Sequence, residues 1–151
     1  MISMSPAGLA AIVRRVADQP DTWRGLVRFE AAERWYVRLM EDEQHEVWLL
    51  TWLAGQQTGF HDHGQSAGAF AVADGCLTEC AAAKGRPEAM SRRLRSGALR
   101  SFGPRYVHDV RNDSIEPAIS IHAYSPPLTS MHRFEMTEGG LLPVALQDRS
   151  W

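Results

Sequence analysis

The stretch Gly59-Phe60-His61-Asp62-His63-Gly64 constrains the fold of this chain more than any other. In extended backbone the side chains alternate with a period of 2, so His61 and His63 face the same way. Their Cα atoms then stand roughly 6–7 Å apart, a separation from which both imidazoles can reach one metal ion. Asp62 points to the opposite face, and the bounding glycines suit tight turns at the strand's margins. A barrel of strands enclosing a metal at this point is the arrangement against which the remainder of the chain can be tested.

Before this stretch the hydrophobic period changes once. Residues 6–18 read as a helix: Pro6 can open it, and Leu9, Ile12, Val13 and Val16 recur at helical spacing. Asp18-Gln19-Pro20-Asp21 ends it, and Asp21 or Thr22 can cap a second short helix. From Trp35 the pattern is that of strands. Trp35, Val37 and Leu39 face one way; Tyr36, Arg38 and Met40 face the other. Residues 46–53 carry the strongest strand signal of the chain.

After the histidines, strands are expected at 68–73 and 76–82, joined at Asp74-Gly75, a favoured hairpin pair. A polar edge strand follows at 92–95, then 99–102, 106–110, 118–124, 131–136 and 141–145. Lys84-Gly85-Arg86-Pro87 reads as exposed, and Ser125-Pro126-Pro127 as a strand stop. Many short strands after a helical start predict an all-β barrel or jelly roll with N-terminal helices. The expected organisation is one domain, helical over about 6–33 and a β-barrel over about 34–146.

With 151 residues the chain is long enough for one domain with a real core. A net charge of -2 provides no basic field for nucleic acid. No apolar run approaches the roughly 20 residues that span a bilayer, and the first six residues lack a basic region followed by a hydrophobic run. Cys76 and Cys80 share a strand face but stand too far apart for an ordinary disulfide, and read as small buried hydrophobes. A cytoplasmic location is expected.

An isolated His-x-His arises as readily from exposed or hydrogen-bonded histidines as from a metal site. Here its flanks add weight: Gly55, five residues, then His61-x-His63 resembles the first motif of the cupin superfamily. Gly68 stands where that motif expects a glutamate, and Gly75 where it expects a glycine. His108 to Asn112 reproduces the His-x-x-x-Asn ending of the second cupin motif, although Gly103-Pro104 departs from its earlier Pro-x-Gly spacing. With the glutamate missing, His61, His63 and His108 are the expected ligands, three neutral imidazoles suited to Fe(II), Zn, Ni or Cu. The undiminished +2 charge favours an anionic ligand such as a thiolate.

Four blocks narrow the resemblance: Tyr36-x-Arg38, His61-Asp62-His63 followed by Ser66, His108, and Ser120-x-His122-x-Tyr124-Ser125-Pro126-Pro127. Together they make the chain similar to the thiol dioxygenases of the cupin superfamily, closest to bacterial cysteine dioxygenase. The resemblance implies Fe(II) on His61, His63 and His108, with L-cysteine bound through sulfur and amine. Both atoms of O2 pass to sulfur, giving cysteine sulfinic acid, with no organic cofactor. It also implies that Arg38, with Tyr36, binds the substrate carboxylate. Ser120, His122 and Tyr124 are implied as a hydrogen-bond relay that lets the phenol donate to dioxygen or substrate. Ser120 is not read as a nucleophile, since no acid partner or oxyanion hole is signalled. A monomer is expected, with no nucleic-acid or membrane partner.

Animal relatives carry a cysteine five residues after the second histidine, crosslinked to the catalytic tyrosine. Gly68 occupies that position, so no thioether to Tyr124 is expected. Competing readings are oxidation of another small thiol such as 3-mercaptopropionate, a different cupin reaction, or a non-catalytic cupin binding a small anion. Trp35, Trp48 and Trp52 read as core aromatics. His132 and Met131 suit the pocket mouth or the core equally, His45 the surface, and Asp62 and Asp109 either a role orienting the ligands or a surface one.

Overall fold

In the computed structural model, which describes residues 3–82 and 89–148, the chain begins with one α-helix, α1 (Pro6–Ala17). The Ser5 hydroxyl accepts from the Gly8 N–H at 3.1 Å and Pro6 takes the first helical position, two standard ways of starting a helix. The second helix expected near Asp21 is replaced by two 3-10 turns, Pro20–Thr22 and Arg24–Leu26, neither with a side-chain cap. Pro20 and Gly25 leave too short a stretch for a longer helix to nucleate. Between the turns Trp23 is buried, and its indole N–H donates to the Val16 carbonyl at 2.8 Å.

Among the described residues ten strands follow: β1 (Trp35–Glu41), β2 (Glu46–Trp52), β3 (Ala67–Asp74), β4 (Cys76–Ala82), β5 (Met90–Arg95), β6 (Leu99–Phe102), β7 (Val107–Arg111), β8 (Ala118–Ser125), β9 (Ser130–Thr137) and β10 (Gly140–Asp148). One sheet runs in the order β1-β2-β8-β3-β6. The other side is built from β5-β4-β7 and from β9-β10. Segment 57–61 joins those two pieces. Gln57 bridges Arg111, and His61 bridges both His108 and Arg133. The histidine-bearing segment is therefore itself extended backbone, wedged between β7 and β9.

The hairpin expected at Asp74-Gly75 is not formed. β3 pairs with β6 and β8, whereas β4 pairs with β5 and β7, so the turn is a corner between the sheets. Gly75 has φ +79°, and a Cβ there would lie 2.4 Å from the Pro117 carbonyl oxygen. The dipeptide meets the local turn requirement, but pairing is decided by distant strands. The exposed stretch expected at Lys84-Gly85-Arg86-Pro87 lies outside the described residues.

Two apolar layers sandwich the five-stranded sheet. Leu9, Ile12 and Val13 of α1, with Trp23, pack on Val47, Leu49, Ala69, Ile121 and Ala123. Leu50, Trp52, Phe70 and Val72 face inward, toward Leu77 and Val110 of the other sheet. β2 and β8 are thus buried on both faces, which explains why residues 46–53 read as a nearly continuous apolar run. Among the described residues no helix is long and apolar enough to cross a membrane.

The register sets the inner face in rows. Arg38, Trp48, His122 and Phe70 align across β1-β2-β8-β3. Glu46, Tyr124, Gly68 and Phe102 align across β2-β8-β3-β6. At Gly68 an added Cβ would sit 2.5 Å from the Phe102 ring and 3.0 Å from Tyr124 Cδ1. Phe102 is itself stacked between His63 and Tyr106, at 5.1 and 4.6 Å, so it has little room to retreat. Gly68→Ala is expected to destabilise the protein by about 1–3 kcal/mol through overpacking. A urea midpoint equal to that of the wild type would show instead that Phe102 yields freely.

Candidate metal centre

His61, His63 and His108 each offer one ring nitrogen, and these atoms all lie within 4.8 Å of one another. All three side chains are buried. The backbone fixes one of the rings. His61 Nδ1 lies 2.8 Å from the Gly59 carbonyl oxygen, so that nitrogen carries the proton and Nε2 keeps its lone pair. Gly59 reaches this position at φ +76°, and its N–H donates to Asp109 Oδ1 at 3.0 Å. Asp109 is in turn held by Arg111. The orienting role open to Asp109 is thus exerted through Gly59.

Glu79 fixes a second ring. His108 Nδ1 stands 2.9 Å from Glu79 Oε2, leaving His108 Nε2 for the site. Glu79 is fully buried on β4, where it also accepts from Arg100 Nε at 2.9 Å and from the Tyr106 hydroxyl at 3.1 Å. Burial pushes its carboxyl up, but the hydrogen bonds and charges of His108 and Arg100 outweigh that and hold it below the ordinary range. Removing this carboxylate's charge leaves the ring less basic and less firmly oriented. Glu79→Gln is expected to weaken metal binding about 10–100-fold. Competition with a chelator of known affinity measures the change, and an unaltered affinity would remove Glu79 from the ligand support.

Burial first, and the neighbouring imidazoles next, hold His61 and His63 well below the usual histidine range. Neutral rings present lone pairs. His61 Nε2 and His63 Nε2 face each other at 3.2 Å, and His63 Nδ1 has no hydrogen-bond partner among the described residues. Three buried imidazoles converging without an acid among them fit a divalent transition metal, the donor type being suited to Fe(II), Zn, Ni or Cu.

Beside this group lies a second hydrogen-bonded set. Ser120 Oγ is 2.7 Å from His122 Nε2, and His122 Nδ1 is 3.4 Å from the Tyr124 hydroxyl, a long contact. The alternation expected of these three on one strand face is therefore present, on β8. Tyr124 stacks on His63 with ring centroids 4.8 Å apart, which couples the set to the three histidines. Trp52 Nε1, which can only donate, reaches Ser120 Oγ at 2.9 Å. Burial, together with the charges of His108 and Arg34, holds His122 well below the ordinary histidine range. Burial and the Glu46 carboxylate push Tyr124 well above the ordinary phenol range, against a smaller opposing pull from Arg34. At neutral pH His122 is neutral and Tyr124 is protonated.

Arg38 and Tyr36 share the inner face as expected, but at its solvent edge. Tyr36 meets the Trp48 ring edge-on at 5.8 Å, and the Arg38 guanidinium lies 5.5 Å from the Trp48 centroid. Arg38 Nη1 is 3.1 Å from Glu41 Oε2 and 3.9 Å from Glu46 Oε1, with 39% of its side chain exposed. Asp62 clips the histidine segment to β9: its Oδ1 accepts from the backbone N–H of Gly64 at 3.1 Å and of His132 at 2.8 Å. Met131 is buried, whereas His132 stays half-exposed against Asp62.

Sequence reasoning missed Glu79 and Arg34. Glu79 carries a signal only in retrospect, as an acid at an inward position between Leu77 and Ala81. Arg34 continues the Tyr36, Arg38 alternation by one step, just before β1 begins.

The family model for cysteine dioxygenase type I matches residues 7–137. Human cysteine dioxygenase type 1 is 29% identical over 142 residues, covering 85% of this chain and 69% of the human one. The zebrafish (Danio rerio) protein of the same name is 28% identical over 137 residues, covering 80% and 65%. Among solved structures, a Klebsiella pneumoniae protein with a double-stranded β-helix domain superposes with a TM-score of 0.60 at 19% identity, covering 83% of this chain and 94% of that one. An RmlC-like cupin from Desulfovibrio desulfuricans gives 0.57 at 20% identity, covering 68% and 91%. These structures share the cupin fold of opposed sheets found here. With most of its length matched by the family model, the chain belongs to the cysteine dioxygenase type I family.

Proposed function

We propose that this protein oxidises the thiol of L-cysteine with O2 to cysteine sulfinic acid, using Fe(II) held by His61, His63 and His108. The observation that carries the reading is the convergence of three buried imidazoles, one of them stacked on Tyr124. Iron held by these residues would supply the redox-active centre for the reaction. The sulfur atom supplies the electrons, both oxygen atoms end on it, and no reductant is consumed.

The chain's own residues do the orienting. Gly59 and Glu79 fix the tautomers of His61 and His108. Trp52 Nε1–H donates to Ser120 Oγ, which turns the Ser120 O–H toward His122 Nε2. His122 then carries its proton on Nδ1 and donates it to the Tyr124 oxygen. This polarity directs the phenol's own O–H away from His122 and toward the substrate side, where it donates to oxygen or to the carboxylate. Arg38 and Tyr36 line the approach at the rim, and a carboxylate contact from Arg38 requires the guanidinium to exchange Glu41 and Glu46 for substrate.

The reading treats the chain as one cupin domain, helical over about 6–33 and barrel over about 34–146, acting as a cytoplasmic monomer. The test is oxygen consumption by anaerobically Fe(II)-loaded protein with cysteine, 3-mercaptopropionate and cysteamine, with the product identified by mass. Cysteine should turn over best and give the sulfinate. Preferred oxidation of 3-mercaptopropionate would reject the substrate, and anion binding without oxygen uptake from any thiol would reject the enzyme.

A further inference from the structure

Half of the chain's 16 Lys and Arg fall within residues 84–111, which hold only two of its 18 Asp and Glu. The overall charge of -2 thus combines a basic stretch with an acidic remainder. The basic stretch centres on β5, Met90-Ser91-Arg92-Arg93-Leu94-Arg95. Leu94 turns inward and packs in the same apolar layer as Leu77, its neighbour on β4, which fixes the strand. The other five residues of β5 are exposed. Arg100 and Arg111 are already matched, by Glu79 and Asp109, and both of those acids are buried. Among the described residues Arg92, Arg93 and Arg95 have no acidic partner.

β5 is also an open edge. Among the described residues it pairs with β4 alone, and β4 pairs with β7 on its other side. Beyond that ladder, its one backbone hydrogen bond among the described residues is accepted by the Arg95 carbonyl from the Ala98 N–H at 2.8 Å. A row of N–H and C=O groups faces outward along about 20 Å of strand. Charge on an edge strand commonly keeps sheets from pairing with one another. In this chain it is not distributed for that purpose. β10, which among the described residues pairs only with β9, is the longer strand, yet it exposes Leu142, Val144 and Leu146 and contains no Lys or Arg.

We propose that β5 is a docking edge for an extended acidic segment of a partner protein, which adds to the β5-β4-β7 sheet as a further strand. Two kinds of contact then act together. The partner's backbone completes the open ladder, and its carboxylates meet the arginines. Arg93 and Arg95 share one face of the strand, roughly 6–7 Å apart, and Arg92 stands on the other, so acids along an extended segment match them at the same spacing. A second copy of β5 does not fit, because pairing the strand with itself sets arginines against arginines. A nucleic acid would engage the charges but has no strand with which to complete the ladder. Docking here requires nothing of the metal centre.

The experiment uses the intact chain and three labelled eight-residue peptides, alternating Glu-Thr, alternating Glu-Pro and alternating Lys-Thr. Glu-Pro keeps the carboxylates but lacks half of a strand's N–H donors. Fluorescence anisotropy at low and high salt reads affinity, and hydrogen exchange followed by mass spectrometry locates the contact. Glu-Thr should bind at least about 10-fold more tightly than Glu-Pro, weaken as salt is raised, and slow amide exchange in β5. Lys-Thr should not bind. The triple variant Arg92→Gln, Arg93→Gln, Arg95→Gln should bind Glu-Thr about 10-fold more weakly or worse, with its circular dichroism unchanged.

Equal binding of Glu-Thr and Glu-Pro overturns strand addition, and slowed exchange confined to another strand overturns the placement on β5. A uridine oligonucleotide that binds more tightly than Glu-Thr overturns the assignment to a protein segment. Full affinity in the triple variant removes the arginines from the contact. If that variant aggregates once its charged edge is neutralised, Arg93→Gln alone decides. It should weaken Glu-Thr about 2–5-fold, the scale of one exposed ion pair, and an unchanged affinity refutes the assignment. Absence of Glu-Thr binding at low salt refutes the docking edge outright.

Discussion

His108→Ala is expected to strip the protein of bound metal and to lower thiol-dependent oxygen uptake by at least about a thousand-fold, several kcal/mol being the scale of a resident metal's contribution. The choice of ligand matters for reading the result. Replacing His61 leaves the Gly59 carbonyl without its ring donor, and replacing His63 opens a gap between the Phe102 and Tyr124 rings. Replacing His108 leaves Glu79 still paired with Arg100 and Tyr106, so no buried charge is orphaned. The variant should therefore keep its fold. Metal content after anaerobic loading, oxygen uptake and near-ultraviolet circular dichroism separate the outcomes. Full metal content with lost activity would show that His108 is not a ligand, and lost metal together with lost tertiary signal would show that its role is structural.

The sequence carried the local parts of this architecture well and the pairings poorly. Strand positions were legible because alternation is a property of neighbouring residues. The boundaries expected for 76–82 and 99–102 coincide with β4 and β6. Helix α1 was legible because Pro6 and the Leu9, Ile12, Val13 stripe are local too. Asp74-Gly75 misled for the converse reason. The dipeptide meets a turn's backbone needs, but whether the flanking strands pair depends on β6, β7 and β8, which are up to fifty residues away.

The site shows the same division. His61 and His63 were singled out by their spacing, and the flanking glycines gave that spacing its weight. His108 came only with the resemblance, since nothing in its own neighbourhood states that its backbone bridges His61. The supports were the least legible. Glu79 reaches His108 across 29 residues, and Gly59 passes the constraint of Asp109 to His61 through one peptide unit. Such links depend on strand register, which a single sequence does not print. Arg34 was hidden differently. It precedes the strand, so the alternation that singled out Tyr36 and Arg38 was not extended back to it, and its burial depends on Trp52 lying over it.

Tyr124→Phe should lower kcat/KM by about 100-fold, the scale of losing one well-placed donor at a reacting centre, while leaving metal content unchanged. The ring does its packing without the hydroxyl. It stacks on His63 and fills the space beside Gly68, contacts that phenylalanine repeats. What disappears is the O–H that the Trp52, Ser120 and His122 sequence of donors directs toward substrate. The His122 Nδ1–H loses this acceptor as well, which predicts a stability loss of about 0.5–1.5 kcal/mol for one hydrogen bond removed. Because burial and Glu46 keep the phenol protonated well beyond neutral pH, the wild type should show no loss of activity from tyrosine ionisation between pH 7 and about 9. Oxygen uptake, metal analysis and the yield of sulfinate per O2 consumed test the variant together. Loss of iron would assign Tyr124 to the metal's own support, and an unchanged kcat with intact sulfinate yield would remove the phenol from the chemistry and leave the β8 relay as a packing device.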